Sequence, residues 1–174
     1  MDRQTHNLAA AGNAILSPSR SRRVGAYADR VAGRTQAVYY RDNAGREPVN
    51  AYLDDLAVTN PRAAAKIDDY VEEYLNDNAA SAPPPEHPIS SQIDGELREL
   101  RVRFGKTRYR ILYRRSGLLV VLLHIFEKDT DKLPVRDREL AVNRFQGFKA
   151  RMDAEPRRRP RAAGHDAPPA TRDK

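Results

Sequence analysis

Three short, strand-like segments separated by glycine-containing turns limit this chain to a fold built around an antiparallel sheet. In residues 100–104 and 108–115, apolar and arginine side chains alternate, which is typical of strands with one buried and one exposed face. The third segment, residues 118–126, is apolar almost throughout and predicts a central strand buried on both faces. Because the turns between them are short, the three strands are expected to form a meander.

The residues before this meander predict one strand and two helices. Residues 36–41 are rich in strand-forming side chains and end at a turn, so they predict a first strand. Pro48 and the pair Asn60-Pro61 are helix-start signals, and apolar residues recur after each of them at helical spacing. The two helices are therefore expected to be amphipathic, with acidic outer faces.

A last helix is expected from Pro134 to about Met152, and residues 77–92, which contain four prolines, are expected to be a flexible connector. The resulting order, strand, helix, helix, three strands, helix, predicts an α+β fold. We expect a small, twisted, mainly antiparallel sheet with its helices packed on one face and a cationic face left open for a ligand.

The composition divides the chain into a core and two tails. Residues 35–154 carry the periodic patterns and are expected to form one domain. The basic residues 1–34 and the proline-containing residues 155–174 have few apolar side chains to offset the entropy cost of ordering. Both tails are therefore expected to be disordered or loosely attached.

The composition also excludes several classes of protein. With no cysteine in 174 residues, the chain has no disulfide framework, thiol nucleophile or cysteine-ligated zinc. No apolar segment approaches the roughly 18 residues needed to cross a bilayer, so a cytoplasmic protein without a membrane partner is expected. No glycine-rich phosphate loop is present, since Gly105 and Gly117 mark hairpin turns, and the histidines show no metal-ligand spacing. Neither a cofactor nor a metal is therefore expected.

The charge of the chain is concentrated in one segment. The net charge is +7, and residues 98–115 alone carry eight basic side chains against a single acid, Glu99. A cationic segment of this density indicates a surface that binds a polyanion. An ordinary solvated, charged surface is the alternative.

Several motifs, taken in order, resemble the RelE/ParE superfamily of toxins, and most closely its HigB branch, which is often phage-derived. The resemblance covers about residues 36–151. The matching features are Glu99-Leu100-Arg101, Tyr109-Arg110-Ile111-Leu112-Tyr113, the strand end Val121-Leu122-Leu123-His124-Ile125-Phe126, then Lys128, Lys132, Pro134 and Arg138-Glu139-Leu140-Ala141.

The resemblance implies the toxin of a type II toxin–antitoxin system. Such a toxin is a metal-independent endoribonuclease that cuts mRNA in the ribosomal A site by attack of a 2′-hydroxyl on its phosphate, which stops translation and growth. Its implied partners are the ribosome with its mRNA and a helix-turn-helix antitoxin, through which alone it would meet operator DNA. Two alternatives stay open: a superfamily toxin that binds DNA gyrase and cuts no RNA, and an inactive phage-derived protein that binds nucleic acid.

The resemblance also implies catalytic residues. Arg110 stands where the family places an arginine against the scissile phosphate, and Arg101 is its expected companion. A guanidinium binds phosphate through two parallel hydrogen bonds but cannot act as a base. Lys128 and Lys132 follow the last strand, where a lysine among other cations has a lowered pKa and can transfer a proton. The alternative for both lysines is a solvated basic loop.

His124 is a further catalytic candidate, because the family carries a histidine at this point. Its spacing from Leu122 and Phe126 places the three on one face, and the alternative is a hydrogen-bonded core histidine. The general acid and base stay unidentified. Contacts with the RNA backbone are expected from Arg103, Lys106, Arg108 and Arg114.

The antitoxin is expected to bind the acidic helices and to leave the arginine face at least partly exposed. Helix-turn-helix antitoxins of this branch are compact domains without a long wrapping arm, which favours binding to the helical side. The expected contact residues are Asp54, Asp55, Asp68, Asp69, Glu72 and Glu73.

Overall fold

The computed structural model describes residues 33–128 and 132–165, which form one five-stranded sheet and three helices. The α+β class is as predicted. The expected N-terminal tail, apart from residues 33 and 34, and residues 166–174 of the expected C-terminal tail lie outside the described residues. In chain order the elements are β1 (Gln36–Tyr39), α1 (Pro48–Thr59), α2 (Pro61–Leu75), β2 (Ser90–Asp94), β3 (Leu97–Phe104), β4 (Thr107–Ser116), β5 (Leu119–Glu127) and α3 (Val135–Ala154).

The sheet is mixed, with the strand order β1-β5-β4-β3-β2. Strands β2 to β5 form the antiparallel meander, and β1 pairs in parallel with β5. Strand β2 corrects the prediction of a flexible connector through residue 92. It is a polar strand at the edge of the sheet, where it pairs with β3. An edge strand can be polar, so its sequence lacks the apolar run by which a central strand is recognised.

The helices cover both faces of the sheet, which corrects the prediction that they all pack on one face. The first face holds α1 and α2, with Leu53 and Ile67 packed into the core. The second face holds α3, whose Phe145 and Phe148 pack with Val121 of β5. The reason is the apolar sequence of β5, which needs cover on both sides to remove its side chains from water.

The predicted helix starts are confirmed. Pro48 and Pro61 occupy the first turns of α1 and α2, where the missing N–H of proline costs no hydrogen bond. The side chain of Asn60 caps α2 by accepting a hydrogen bond from the backbone N–H of Ala63 at 3.2 Å. Across the described ranges, no helix combines the length and the apolar character that a bilayer span requires.

Residues 155–165, which we call the C-terminal strap, pack along the outer edge of β1. The backbone N–H of Tyr39 donates to the Arg161 carbonyl at 3.0 Å, and that of Ala163 donates to the Ala37 carbonyl at 2.9 Å. Arg161 forms an ion pair with Glu47 at 2.6 Å. The prediction of a loose tail from residue 155 is therefore wrong as far as residue 165. The strap is held by backbone hydrogen bonds, which need no apolar side chains. The sequence therefore shows no apolar periodicity from which the strap could be predicted.

Candidate active site

The β3–β4 hairpin brings four arginines together on one face of the sheet, as their alternation predicts. Arg101 lies directly opposite Arg110, and Arg103 lies opposite Arg108. We call these four residues the arginine patch. Leu112, which shares their alternation, packs in the apolar cluster beneath α3, so the patch lies on the α3 face. Helix α3 contacts mainly β5 and β4, and the hairpin end of this face stays open to solvent, where Arg103 is exposed.

The buried carboxylate of Glu99 lies against the patch. The Glu99 side chain is only 2% exposed, and its Oε1 accepts a hydrogen bond from Arg101 Nε at 2.7 Å. Its Oε2 lies 3.4 Å from Arg110 Nε in an ion pair. Since like charges on directly opposite strand positions repel, Glu99 offsets the repulsion between the two arginines.

Arg110 is the buried member of the pair, with 9% of its surface exposed. Its Nη1 donates to the Tyr109 carbonyl at 3.1 Å, which fixes one end of the guanidinium. Burial lowers the pKa of Arg110, and the Glu99 carboxylate opposes that shift. A guanidinium shielded from water interacts more strongly with an anion than an exposed one does.

Lys128 joins the patch from the end of β5. Its backbone N–H donates to the Arg108 carbonyl at 2.7 Å, which ties it to the neighbouring strand. Burial lowers the pKa of the Lys128 amine; Glu99 acts against this, whereas Arg110 and Arg101 lower it further. The structure therefore brings Lys128 together with Arg101 and Arg110, as the resemblance implies.

His124 lies on the same face of the sheet as the patch, but its side chain contacts α3 instead of the arginines. Its Nε2 lies 3.0 Å from Asp137 Oδ1, Arg144 Nη1 lies 3.4 Å from its Nδ1, and its ring stacks on Phe126. Burial lowers the pKa of His124, although the hydrogen bond with Asp137 acts to raise it. The lowered pKa favours the neutral imidazole. These contacts favour the hydrogen-bonded core interpretation over a catalytic one.

A β-bulge explains where His124 points. The register shifts so that Leu112 pairs with His124 while Tyr113 pairs with Leu122. The extra residue is Leu123, which lies with His124 on the α3 side, whereas Leu122 packs toward α1 and α2. The prediction that Leu122 shares a face with His124 is therefore wrong.

The remaining predicted residues lie in different places. Arg103 and Lys106 are exposed at the hairpin end, beside the partly exposed Arg108. Arg114 lies near the other end of β4, where it pairs with Glu96 at 2.6 Å and covers the Phe145 ring of α3. Lys132 is exposed just beyond residues 129–131, which the structure does not describe.

Two residues of the site were given no role in it from the sequence. Glu99 had a signal, because it is the only acid in the basic segment and alternates in register with Arg101 and Arg103. Ser91 had none, because it lies in the predicted connector. Its hydroxyl donates to Glu99 Oε1 at 3.1 Å and accepts from Arg101 Nη2 at 3.0 Å.

The chemistry available at this site is anion binding and proton transfer. Two guanidiniums can contact the oxygens of one phosphate, and a lysine of lowered pKa can exchange a proton. Over the described ranges, the His, Asp and Glu side chains form no group of three or more that could hold a metal ion.

A family model described as phage-derived protein Gp49-like (DUF891) matches residues 54–146, slightly more than half of the chain. The match begins in α1 and ends in α3, so it contains the whole meander, the arginine patch, Glu99 and Lys128. No curated protein matches the chain significantly.

Proposed function

Since the chain belongs to the phage-derived Gp49-like family, a family of RelE-like toxins, we propose that it is the toxin of a type II toxin–antitoxin system and cuts mRNA on the ribosome. Within the superfamily, the HigB branch is the proposed relationship. The observation that carries the proposal is the group of cations around Glu99, in which Arg101 and Arg110 lie on directly opposite strand positions and Lys128 lies beside them.

The proposed reaction is an attack of the ribose 2′-oxygen on the adjacent phosphorus. The bond from phosphorus to the 5′-oxygen breaks, which leaves a 2′,3′-cyclic phosphate and a 5′-hydroxyl. Arg110 and Arg101 bind the non-bridging oxygens, where negative charge grows in the transition state. Lys128 exchanges the proton, as an amine that accepts it from the 2′-hydroxyl or as an ammonium that donates it to the leaving oxygen.

The exposed cations at the hairpin end extend this site along the RNA. Arg103, Lys106 and Arg108 are placed to bind phosphates on either side of the cleaved bond, where each contact adds salt-dependent affinity without base specificity. Arg114 already forms an ion pair with Glu96 and stacks on the Phe145 ring of α3. Any contact of Arg114 with RNA would compete with these two interactions.

Cleavage by Arg110 variants on mRNA-programmed ribosomes tests the proposal. Arg110→Ala is expected to lower the cleavage rate by roughly 10²- to 10³-fold, the usual loss when one group that stabilises the transition-state charge is removed. Arg110→Lys keeps the positive charge but cannot form the bidentate hydrogen bonds of a guanidinium with phosphate. It is therefore expected to retain only part of the cleavage rate. Arg62→Ala, at an exposed arginine of α2, is the matched control and should cleave like the wild type.

Two outcomes would contradict the proposal. Folded wild-type protein that leaves mRNA intact on ribosomes would exclude the nuclease. Induced cells that accumulate DNA breaks while keeping their mRNA would identify a gyrase-binding toxin instead. A 2′-deoxy substitution at the cleavage position must also block the reaction if the 2′-oxygen is the nucleophile.

A further inference from the structure

We propose that Glu99 is a positioning residue, which holds the guanidiniums of Arg101 and Arg110 at the separation that one phosphate group requires. This inference rests on the proposed function, because it assigns the two arginines to one phosphate. The Glu99 side chain is 2% exposed, so it acts through the arginines and does not itself touch RNA.

The contacts of Glu99 fix one arginine more firmly than the other. Arg101 donates to Glu99 from Nε at 2.7 Å and to Ser91 from Nη2 at 3.0 Å, and Ser91 donates to the same carboxylate oxygen. Two oxygen atoms, one on β3 and one on β2, thereby set the plane of the Arg101 guanidinium. Because Ser91 belongs to β2, the edge strand also contributes to the site.

The second carboxylate oxygen holds Arg110 more loosely. Glu99 Oε2 and Arg110 Nε lie 3.4 Å apart in an ion pair, and over the described ranges neither atom has a hydrogen-bond partner. The Glu99 carboxylate therefore attracts Arg110 toward the side of Arg101, while Arg110 Nη1 is engaged by the Tyr109 carbonyl. A buried pair that is not fully satisfied costs stability, which makes a purely structural role for it less favourable.

Stability alone gives a weak reason for a carboxylate at this position. Removing a carboxylate from water costs several kcal/mol, and apolar residues of similar size are often as good or better for folding. The adjacent positions Leu100 and Val102 show that β3 readily buries apolar side chains. The geometry thus points to a role for Glu99 in arranging the arginines.

The test compares Glu99→Gln with Glu96→Gln in steady-state cleavage on programmed ribosomes. Glu96 is a matched control, because it lies three residues earlier and also pairs with an arginine, but it is 72% exposed and away from the patch. Glu99→Gln is expected to lower kcat roughly 10- to 100-fold, since misplacing reacting groups by about 1 Å has effects of this order. KM should stay unchanged or fall, because the site gains positive charge. Ser91→Ala keeps the Glu99 carboxylate and should therefore lower kcat less than Glu99→Gln does.

A second readout does not depend on cleavage. The Arg101 and Arg110 side-chain Nε–H resonances are followed by NMR while inorganic phosphate is added to each variant. In the wild type, both resonances should shift together as phosphate is added. In Glu99→Gln, the Arg101 Nε–H should lose its protection from exchange with water. The two resonances of this variant should also respond to phosphate separately. If wild-type protein binds phosphate in this way but cuts no RNA, the proposed function fails and the positioning role stands.

Two results would overturn the inference. One is a Glu99→Gln protein with wild-type kcat and unchanged arginine resonances. The other is a fall in kcat that merely follows a loss of folded protein, as measured by circular dichroism and thermal unfolding. In that case Glu99 would serve the fold alone.

Discussion

Lys128, beside the arginine patch, is the residue of the site whose charge can change through proton transfer. Its pKa is lowered by burial and by Arg110 and Arg101, and Glu99 opposes the shift. If Lys128 acts as the base, cleavage should speed up as pH rises through this lowered pKa, because the amine form then becomes more populated.

Lys128→Arg separates the charge of this residue from its proton transfer. The guanidinium keeps the positive charge but does not lose its proton, so we expect cleavage to fall by roughly 10²- to 10⁴-fold and to lose the rise with pH. Rates measured across the pH range give the answer, with Lys106→Arg at the exposed hairpin tip as control. A Lys128→Arg protein as fast as the wild type would mean that Lys128 supplies charge only.

At the scale of elements, His124 links β5 to α3 through Asp137 and Arg144. Burial holds the pKa of His124 below its ordinary value of about 6.5, so the folded protein favours the neutral ring. Below this ordinary value the unfolded chain takes up the proton more readily than the folded one. The part of the free energy of unfolding that depends on the neutral His124 is therefore fully present above about pH 6.5. It is lost as pH falls from there through the lowered pKa of the folded protein.

Denaturant unfolding of His124→Gln at about pH 7.5 and about pH 5 measures this effect. The wild type should lose more stability between the two pH values than His124→Gln does. His87→Gln, at an exposed histidine of the loop before β2, should behave like the wild type. Equal pH dependence in wild type and His124→Gln would show that the link does not depend on a neutral imidazole.

The same elements show how far the sequence could predict the fold and the site. Helix starts at Pro48 and Asn60 and the alternation along β3 and β4 are local signals, so these elements and the face shared by the four arginines were predictable. The bulge that turns His124 toward α3 depends on strand pairing, which local periodicity does not report. The placement of α3 followed from the apolar sequence of β5, although the sequence interpretation kept all helices on one face.

At the scale of the whole molecule, the C-terminal strap joins the sheet edge to both N-terminal helices. Asn76 of the α2 end donates to the Ala163 carbonyl at 2.9 Å, and Arg161 pairs with Glu47 beside α1. Gly164 has φ of +109°, and a Cβ there would meet Asn76 Nδ2 at 2.7 Å. Only glycine therefore fits this bend without displacing the strap.

Gly164→Ala is expected to lower the free energy of unfolding by about 1–3 kcal/mol through strain at this bend. Cleavage should be retained, because the strap lies on β1 and the arginine patch lies on β3 and β4. Denaturant unfolding and the ribosome assay measure the two effects, with truncation after residue 165 as a control that keeps the strap. A Gly164→Ala protein of wild-type stability would show that the strap contributes little to the fold.

The strap also narrows the surface on which an antitoxin was expected to bind. His165 of the strap lies 2.7 Å from Asp69, and Glu72 accepts from Asn76 beside Gly164. The exposed acidic residues of the two helices are Asp54, Asp55, Asp69 and Glu73, and of these Asp69 is already paired with His165. The exposed Val58 lies near Asp54 and Asp55 on α1. An antitoxin that binds the helical side would meet this α1 surface first.

The parallel pairing of β1 with β5 has a consequence for synthesis on the ribosome. The first strand of the described domain reaches its place only after the last strand has left the exit tunnel, because the two come from opposite ends of the sheet sequence. Lys128 emerges at the same late point. Under the proposed function, a nascent chain of this protein therefore has no complete site for cutting RNA before β5 and Lys128 have emerged.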